Sequence, residues 1–386
     1  MKRLVFLIGF LLPLLAGAQQ AVSFSGYVKE LFMYYQPEQQ IPGLDRDNLT
    51  TNTIHNRLNF KWYPSDQLTV VAEMRNRLLF GSLIREYPAY QSVVDVDNGY
   101  FDLSFVPAQG KGWFMHSMFD RAYLDWVSGN WQITAGRQRV NWGMNLVWNP
   151  NDLFNSYSYF DFDYEERPGT DALRIQYYTG MTSSAELVYQ IGENDDEMAL
   201  AGLYRFSQWN YDIQFIGGWV GTGYIIGTGW AGNIKGAGFR GEITHFIPKN
   251  DEVDSEMATV ASISADYTFP NSLYIHTSVL YNSHGQKGNA GGMDPFLNNK
   301  LSAKYLSLAQ YSLFAQASYP VTPLLSASLS GIANPNDGSW YFGPAFTYSL
   351  QNNLELMATG QLFFGDQGTE FGDIGQLLFG RLKWSF

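Results

Sequence analysis

Apolar and polar residues alternate with a period of two along most of this chain, and helical spacing is scarce. Residues 54–62 put Ile54, Leu58, Phe60 and Trp62 on one face and His55, Arg57, Asn59 and Lys61 on the other, because neighbouring side chains of a strand point to opposite faces. The same division sets Ala122, Leu124 and Trp126 against Arg121, Tyr123 and Asp125. It recurs with Ala261, Ile263, Ala265, Tyr267 and Phe269 against Ser262, Ser264 and Asp266, and with Leu354, Leu356, Ala358, Leu362 and Phe364 against Glu355, Thr359 and Gln361. The last strand carries Leu378, Leu382, Trp384 and Phe386 on one parity and Arg381, Lys383 and Ser385 on the other.

Two kinds of connector separate these stretches. Short turns fall at Pro64 to Asp66, Ser128 to Asn130, Thr179-Gly180, Gln208 to Asn210, Asn233 to Gly236, Pro270-Asn271, Pro320 to Pro323 and Gln351 to Asn353. Longer connectors lie at 37–51, 81–118, 142–170, 192–197, 221–224, 249–255, 284–303, 334–338 and 366–372. The two kinds alternate, as they do in an up-and-down barrel with one short-turn rim and one long-loop rim. The count predicts an all-β, antiparallel transmembrane barrel of about eighteen strands, with both termini at the short-turn, periplasmic rim. The weak, Gly-rich tenth strand near 225–232 leaves sixteen as the alternative.

Composition agrees. Aromatic residues make up 16% of the chain, and amphipathic rings belong at membrane interfaces. Trp62, Trp126, Trp131, Trp209, Trp384 and Phe386 stand beside short turns and predict a girdle at that rim. Outside the N-terminus no apolar run reaches 18 residues, so no transmembrane helix is expected. Lys2 and Arg3, the apolar stretch Leu4 to Leu15 and the small residues Ala16-Gly17-Ala18 read as a signal peptide over 1–18, cleaved before a single barrel domain at 19–386. There is no Cys, hence no lipid anchor after cleavage and no disulfide. The net charge of −12 argues against nucleic-acid binding.

Candidate chemistry concentrates in the first half. Arg57, Lys61, Arg75, Arg77, Arg121 and Arg174 lie on the polar parity of consecutive strands. Strands about 4.8 Å apart would stack them into a basic ladder along the lumen, favouring anionic solutes. Glu73 and Asp125 on the same face would neutralise part of it. Arg137 and Arg139 share parity with Trp131 and Ile133, which would aim them at lipid, at a cost of roughly 2–4 kcal/mol at mid-bilayer. A β-bulge near Gly136 is expected to turn both inward and add them to the ladder; the alternative is a strand that extends past the bilayer, so that both clear it. The 142–170 connector is too long for a plain hairpin and rich in rings. It is expected to fold into the barrel as a constriction loop, setting Asp152, Asp161, Asp163, Glu165 and Glu166 against the ladder. The other reading places it on the outer rim.

No nucleophile and base are placed together. His116-Ser117 and Ser283-His284 are sequence neighbours that point apart on a strand, so no enzyme activity is expected. Five His and no Cys predict no transition-metal centre, and no cofactor is expected. Asp195 to Glu197 and the Asp251, Glu252, Asp254 and Glu256 group read as solvated loop tips.

The run Arg137-Gln138, Asn141-Trp142-Gly143, Asn149-Pro150, Asp152 and Arg167-Pro168-Gly169 resembles a strand-loop-strand of porin-like outer-membrane proteins. Those include alginate-export-type channels and related uncharacterised families. The terminal strand ending at Phe386 resembles the closing strand that bacterial barrel-assembly machinery reads. The resemblance implies an outer-membrane channel for passive diffusion of small hydrophilic solutes, in contact with lipid and lipopolysaccharide, and leaves room for a homo-oligomer. It carries no solute specificity. The rivals are a non-conducting barrel serving export or secretion, and a soluble secreted β-protein.

Overall fold

A computed structural model describes residues 21–40, 47–249, 257–291 and 302–386. The expected signal peptide and the 251–256 acidic group lie outside these residues. Among the described residues nineteen strands form one antiparallel sheet. They are β1 (Val22–Gln36), β2 (Leu49–Ser65), β3 (Leu68–Phe80), β4 (Ser104–Gly110), β5 (Trp113–Ser128), β6 (Trp131–Gln138), β7 (Thr170–Tyr178), β8 (Ser184–Gln190), β9 (Ala199–Gln208) and β10 (Tyr211–Val220). Then come β11 (Gly223–Ile234), β12 (Ala237–Pro248), β13 (Ala258–Thr268), β14 (Tyr274–Asn282), β15 (Tyr311–Pro320), β16 (Leu325–Ala333), β17 (Trp340–Gln351), β18 (Leu354–Phe364) and β19 (Gln376–Ser385). Two single-turn helices, α1 (Ser82–Glu86) and α2 (Tyr90–Val94), follow β3.

The sheet closes on itself. β19 pairs with β1 from Tyr27↔Ser385 to Gln36↔Gln376, and Gly26 and Phe386 exchange both main-chain hydrogen bonds at 3.0 and 2.9 Å. Eighteen strands make the barrel. β4 is an insertion that pairs only with the upper half of β5, above the point where β6 stops. All eight short turns lie on one rim, with the start of β1 and the end of β19. At two of them the chain takes the left-handed conformation twice running, at Trp209-Asn210 and Lys235-Gly236, the geometry a two-residue hairpin needs to match strand twist.

Outward positions are apolar, including Leu124, Phe215, Ile263, Leu329, Leu356 and Leu378, all 44–54% exposed. Aromatics do not keep to one rim. Trp340 stacks on Phe364 at 4.2 Å and Tyr281 meets Tyr311 at 5.2 Å at the long-loop end, so there are two girdles. Inward positions differ from the expected uniformly polar wall. Val260, Leu280, Phe314, Ile332, Tyr341, Phe363 and Leu377 point inward and form an apolar core within the barrel. That core exists because a loop fills the space beside it.

Candidate functional site

The segment between β6 and β7, residues 139–169, folds into the barrel and sweeps around its inner wall. Its first half binds the far wall through rings and amides. Val140 and Trp142 pack with Ala172, Val188, Ala201, Leu203, Ile216 and Ile225. The Trp142 indole donates to Glu186 Oε1 at 2.6 Å, and Gln214 donates to its carbonyl at 2.6 Å. Glu242 of β12, fully buried, accepts from the backbone N–H groups of Met144, Asn145 (2.7 Å) and Asn151 (2.9 Å). Asn145 bonds Ser262 and Ser264 of β13 at 3.0 and 2.6 Å. Tyr159 meets Phe314 edge-on at 5.1 Å, and Phe160 meets Tyr341 and Phe363 at 5.1 Å each.

The second half binds the near wall through charge. Asp163 pairs with Lys29 at 2.7 Å. Glu165 pairs with Arg381 at 3.1 Å and Lys383 at 2.7 Å. Glu166 lies 3.5 Å from Arg57 and accepts from the Tyr27 hydroxyl at 3.1 Å. Tyr164 donates to Asp120 at 3.0 Å while Arg75 stacks over its ring at 3.8 Å. Arg121 donates to the carbonyls of Glu166 (2.5 Å) and Arg167 (2.8 Å). Burial alone would raise the Asp163 carboxyl. The neighbouring His55 ring, 3.8 Å away, and the Lys29 ammonium, at 2.7 Å, outweigh it and hold the group below the usual carboxylate range. Glu165 is likewise held low, against its burial, by Lys383.

Arg57, Arg75, Arg77, Arg121 and Arg174 all point inward, with half-buried Lys61 nearer the short-turn rim. Arg57, Arg77, Arg121 and Arg174 have hydrogen-bond partners, and Arg75 lies over the Tyr164 ring. Arg57 bridges Glu73 and Asp120 at 2.6 Å each, Arg174 pairs with Glu186 at 2.7 Å, and Arg77 contacts the His116 ring at 3.0 Å. Asp125 accepts from Gln132 and Thr134 at 2.9 and 2.7 Å instead of from a cation. Asp161 is exposed and makes no ion pair among the described residues. Asp152 stands apart from the other acids, in the first half of the loop. Burial pushes its carboxyl up to about 7 against the pull of Arg139 and Arg167.

Arg137 corrects the expected bulge. No register shift occurs in β6. The bulge lies one strand over, at Asp120 of β5, where Glu73↔Arg121 is followed directly by Met74↔Phe119. Arg137 keeps its outward parity and is covered by residues 97–101. It donates to Asp171 Oδ1 at 2.9 Å, to Asp97 and to the Phe101 carbonyl. A Cβ on Gly99 would sit 1.9 Å from the guanidinium, so only glycine lets this segment close over it. Arg137 is therefore not a lumen residue, and Arg139 lies beyond the end of β6.

Sequence reasoning missed three cations and an acid of this site: Lys29, Arg381, Lys383 and Glu242. Arg381 and Lys383 were on the polar parity of the last strand, but only closure places them beside Lys29. Glu242 is legible as the lone carboxylate of its strand, on the inward parity two residues after Arg240.

No family model and no curated protein sequence matches the chain. Solved structures do. OccAB4 of Acinetobacter baumannii superposes with a TM-score of 0.59 at 8% identity, covering 95% of this chain and 99% of that one. OccK11 (OpdR) of Pseudomonas aeruginosa gives 0.57 at 10% identity, covering 95% of each chain. OccD3 (OpdP) of the same organism gives 0.56 at 12% identity, covering 94% and 91%. At these identities the likeness is one of fold.

Proposed function

We propose that this protein is a bacterial outer-membrane channel through which small hydrophilic solutes diffuse passively, with the 139–169 loop as its constriction and no enzymatic role. One observation carries the reading: a closed barrel, apolar outside, holds a charged loop against one inner wall. The likeness to Occ/Opd outer-membrane porins supports the same location and class. The short-turn rim would face the periplasm, and the outward Trp62, Trp126, Trp131, Trp384 and Phe386, with Trp209 at its turn, would sit at the lipid interface. The terminal strand would be what the assembly machinery reads. Solutes would pass through the lumen beside residues 161–167, where the loop lies against the wall of β1, β2, β3, β5 and β19. Loop carboxylates pair with four of the eight cations on that wall, Lys29, Arg57, Arg381 and Lys383, so the proposed anion preference is weak.

Planar-bilayer recording of the purified chain tests this. Stepwise currents with a reversal potential slightly toward anions are expected, and Arg75→Glu should move that potential toward cations. A membrane that stays silent at all protein concentrations would overturn the channel; a reversal potential indifferent to Arg75→Glu would remove this wall from the permeation path.

A further inference from the structure

One stretch of the outward face breaks the apolar rule. Val28, Asn56, Asn76 and Ser117 stand in one row across β1, β2, β3 and β5. Ser117 Oγ donates to Asn76 Oδ1 at 2.7 Å, Asn76 Nδ2 to Asn56 Oδ1 at 3.4 Å, and Asn56 Nδ2 to the Tyr27 carbonyl at 3.3 Å. Each primary amide has two N–H groups, so Asn56 and Asn76 each keep one to spare. Two residues along β1 lies Glu30, flanked by Ile54 and Leu382. Among the described residues it is the one exposed acidic side chain at an outward strand position, and it has no ion pair or side-chain hydrogen bond. The other outward carboxylate, Asp171, is buried under Arg137.

Hydrocarbon offers nothing to a carboxylate or a spare amide. Among the described residues the other outward strand positions carry no exposed carboxylate, and outward amides recur at Asn52, Gln36 and Gln376 toward the long-loop ends of β1, β2 and β19. Here acceptor and donors lie side by side, bordered by the exposed Phe32 and Ile54. A patch that carries both halves of its own complement suits a two-fold contact, in which the same surface meets itself. We propose that two copies of this chain associate in the membrane plane through the outward face of β1, β2 and β3. Glu30 of each copy would accept hydrogen bonds from the spare Asn56 and Asn76 amides of the other. The inference rests on the chain being a membrane barrel, though not on its conducting.

The absence of Cys gives a clean test. Ile54→Cys, which borders the patch and leaves Glu30, Asn56 and Asn76 in place, and, on another wall, Ile263→Cys are each oxidised in native membranes. A disulfide-linked dimer at position 54 and none at 263 is expected; no dimer at 54, or equal dimer at both, overturns the proposal. Light scattering of the detergent-solubilised chain supplies the second arm. The wild type should have the mass of two copies, and Glu30→Leu with Asn56→Leu should release monomers. A monomeric wild type, or a double variant that stays dimeric, contradicts it. Faster migration of unboiled than boiled protein shows separately that each variant is still a closed barrel. Failure of that readout in the wild type would count against the barrel reading instead.

Discussion

The two halves of the 139–169 loop are held by different physics. Residues 140–160 are held by rings and by main-chain amides that Glu242 gathers. Residues 161–167 are held by ion pairs with Lys29, Arg57, Arg381 and Lys383. Contacts of the first kind are short-ranged, close-packed and indifferent to salt. Those of the second join mostly buried cations to partly exposed carboxylates, Glu165 being 36% exposed, and salt screens them in part. One loop thus has a fixed end and an adjustable end. The adjustable end lies beside the wall where passage is proposed.

The largest effects should come from the fixed half. Phe160→Ala removes a ring that meets Tyr341, Phe363 and Phe371. It should cost about 3–5 kcal/mol, read as loss of amide-exchange protection across 140–160. Glu242→Gln should cost about 1–3 kcal/mol and deprotect 144–151 while leaving 161–167 unchanged. If both halves loosen together in either variant, the division fails.

Acid should act on the halves in opposite directions. Asp152 binds its proton more tightly in the folded protein, so its contribution is most favourable below about pH 4 and declines as the pH rises to about 7. Asp163 and Glu165 are held low, so their contribution is present at neutral pH and is lost only as the pH falls below the usual carboxylate range. Lowering the pH from 7 to 5 should therefore protect the amides around 149–153 and leave 161–167 unchanged. Loss of protection at 161–167 over that interval would contradict the assignment. The smallest effect is that of salt. Raising it from 0.1 to 1 M should weaken the 161–167 contacts by under about 1 kcal/mol per pair and leave 140–160 untouched.

The barrel is largely legible in the sequence. Turn chemistry and two-residue alternation are local, so they survive in the sequence. They located all eight short turns, and β11, the weak strand, forms full ladders with β10 and β12. What escaped depends on distant segments. The connector read as 81–118 contains β4, where Pro107 interrupts the alternation, and the first part of β5, whose parity flips at the Asp120 bulge. The connector at 221–224 is a two-residue turn at Gly221-Thr222. Arg137 looked misplaced because its cover, 97–101, comes from another connector. The loop's ionic partners were half visible, since Lys29 and Arg381 meet only when the last strand joins the first. The apolar lumen core was hidden because Val260, Leu280 and Phe314 sit on parities shared with serines, and a loop from elsewhere makes them interior.

Single-channel conductance tests the central claim most directly, comparing the wild type with a variant whose residues 161–166 are replaced by a Gly-Ser linker. The fixed half should stay in place while the wall of β1, β2 and β19 is uncovered, giving larger steps and a reversal potential shifted toward anions. Steps of unchanged size and selectivity would put the loop outside the path of ions and contradict the account.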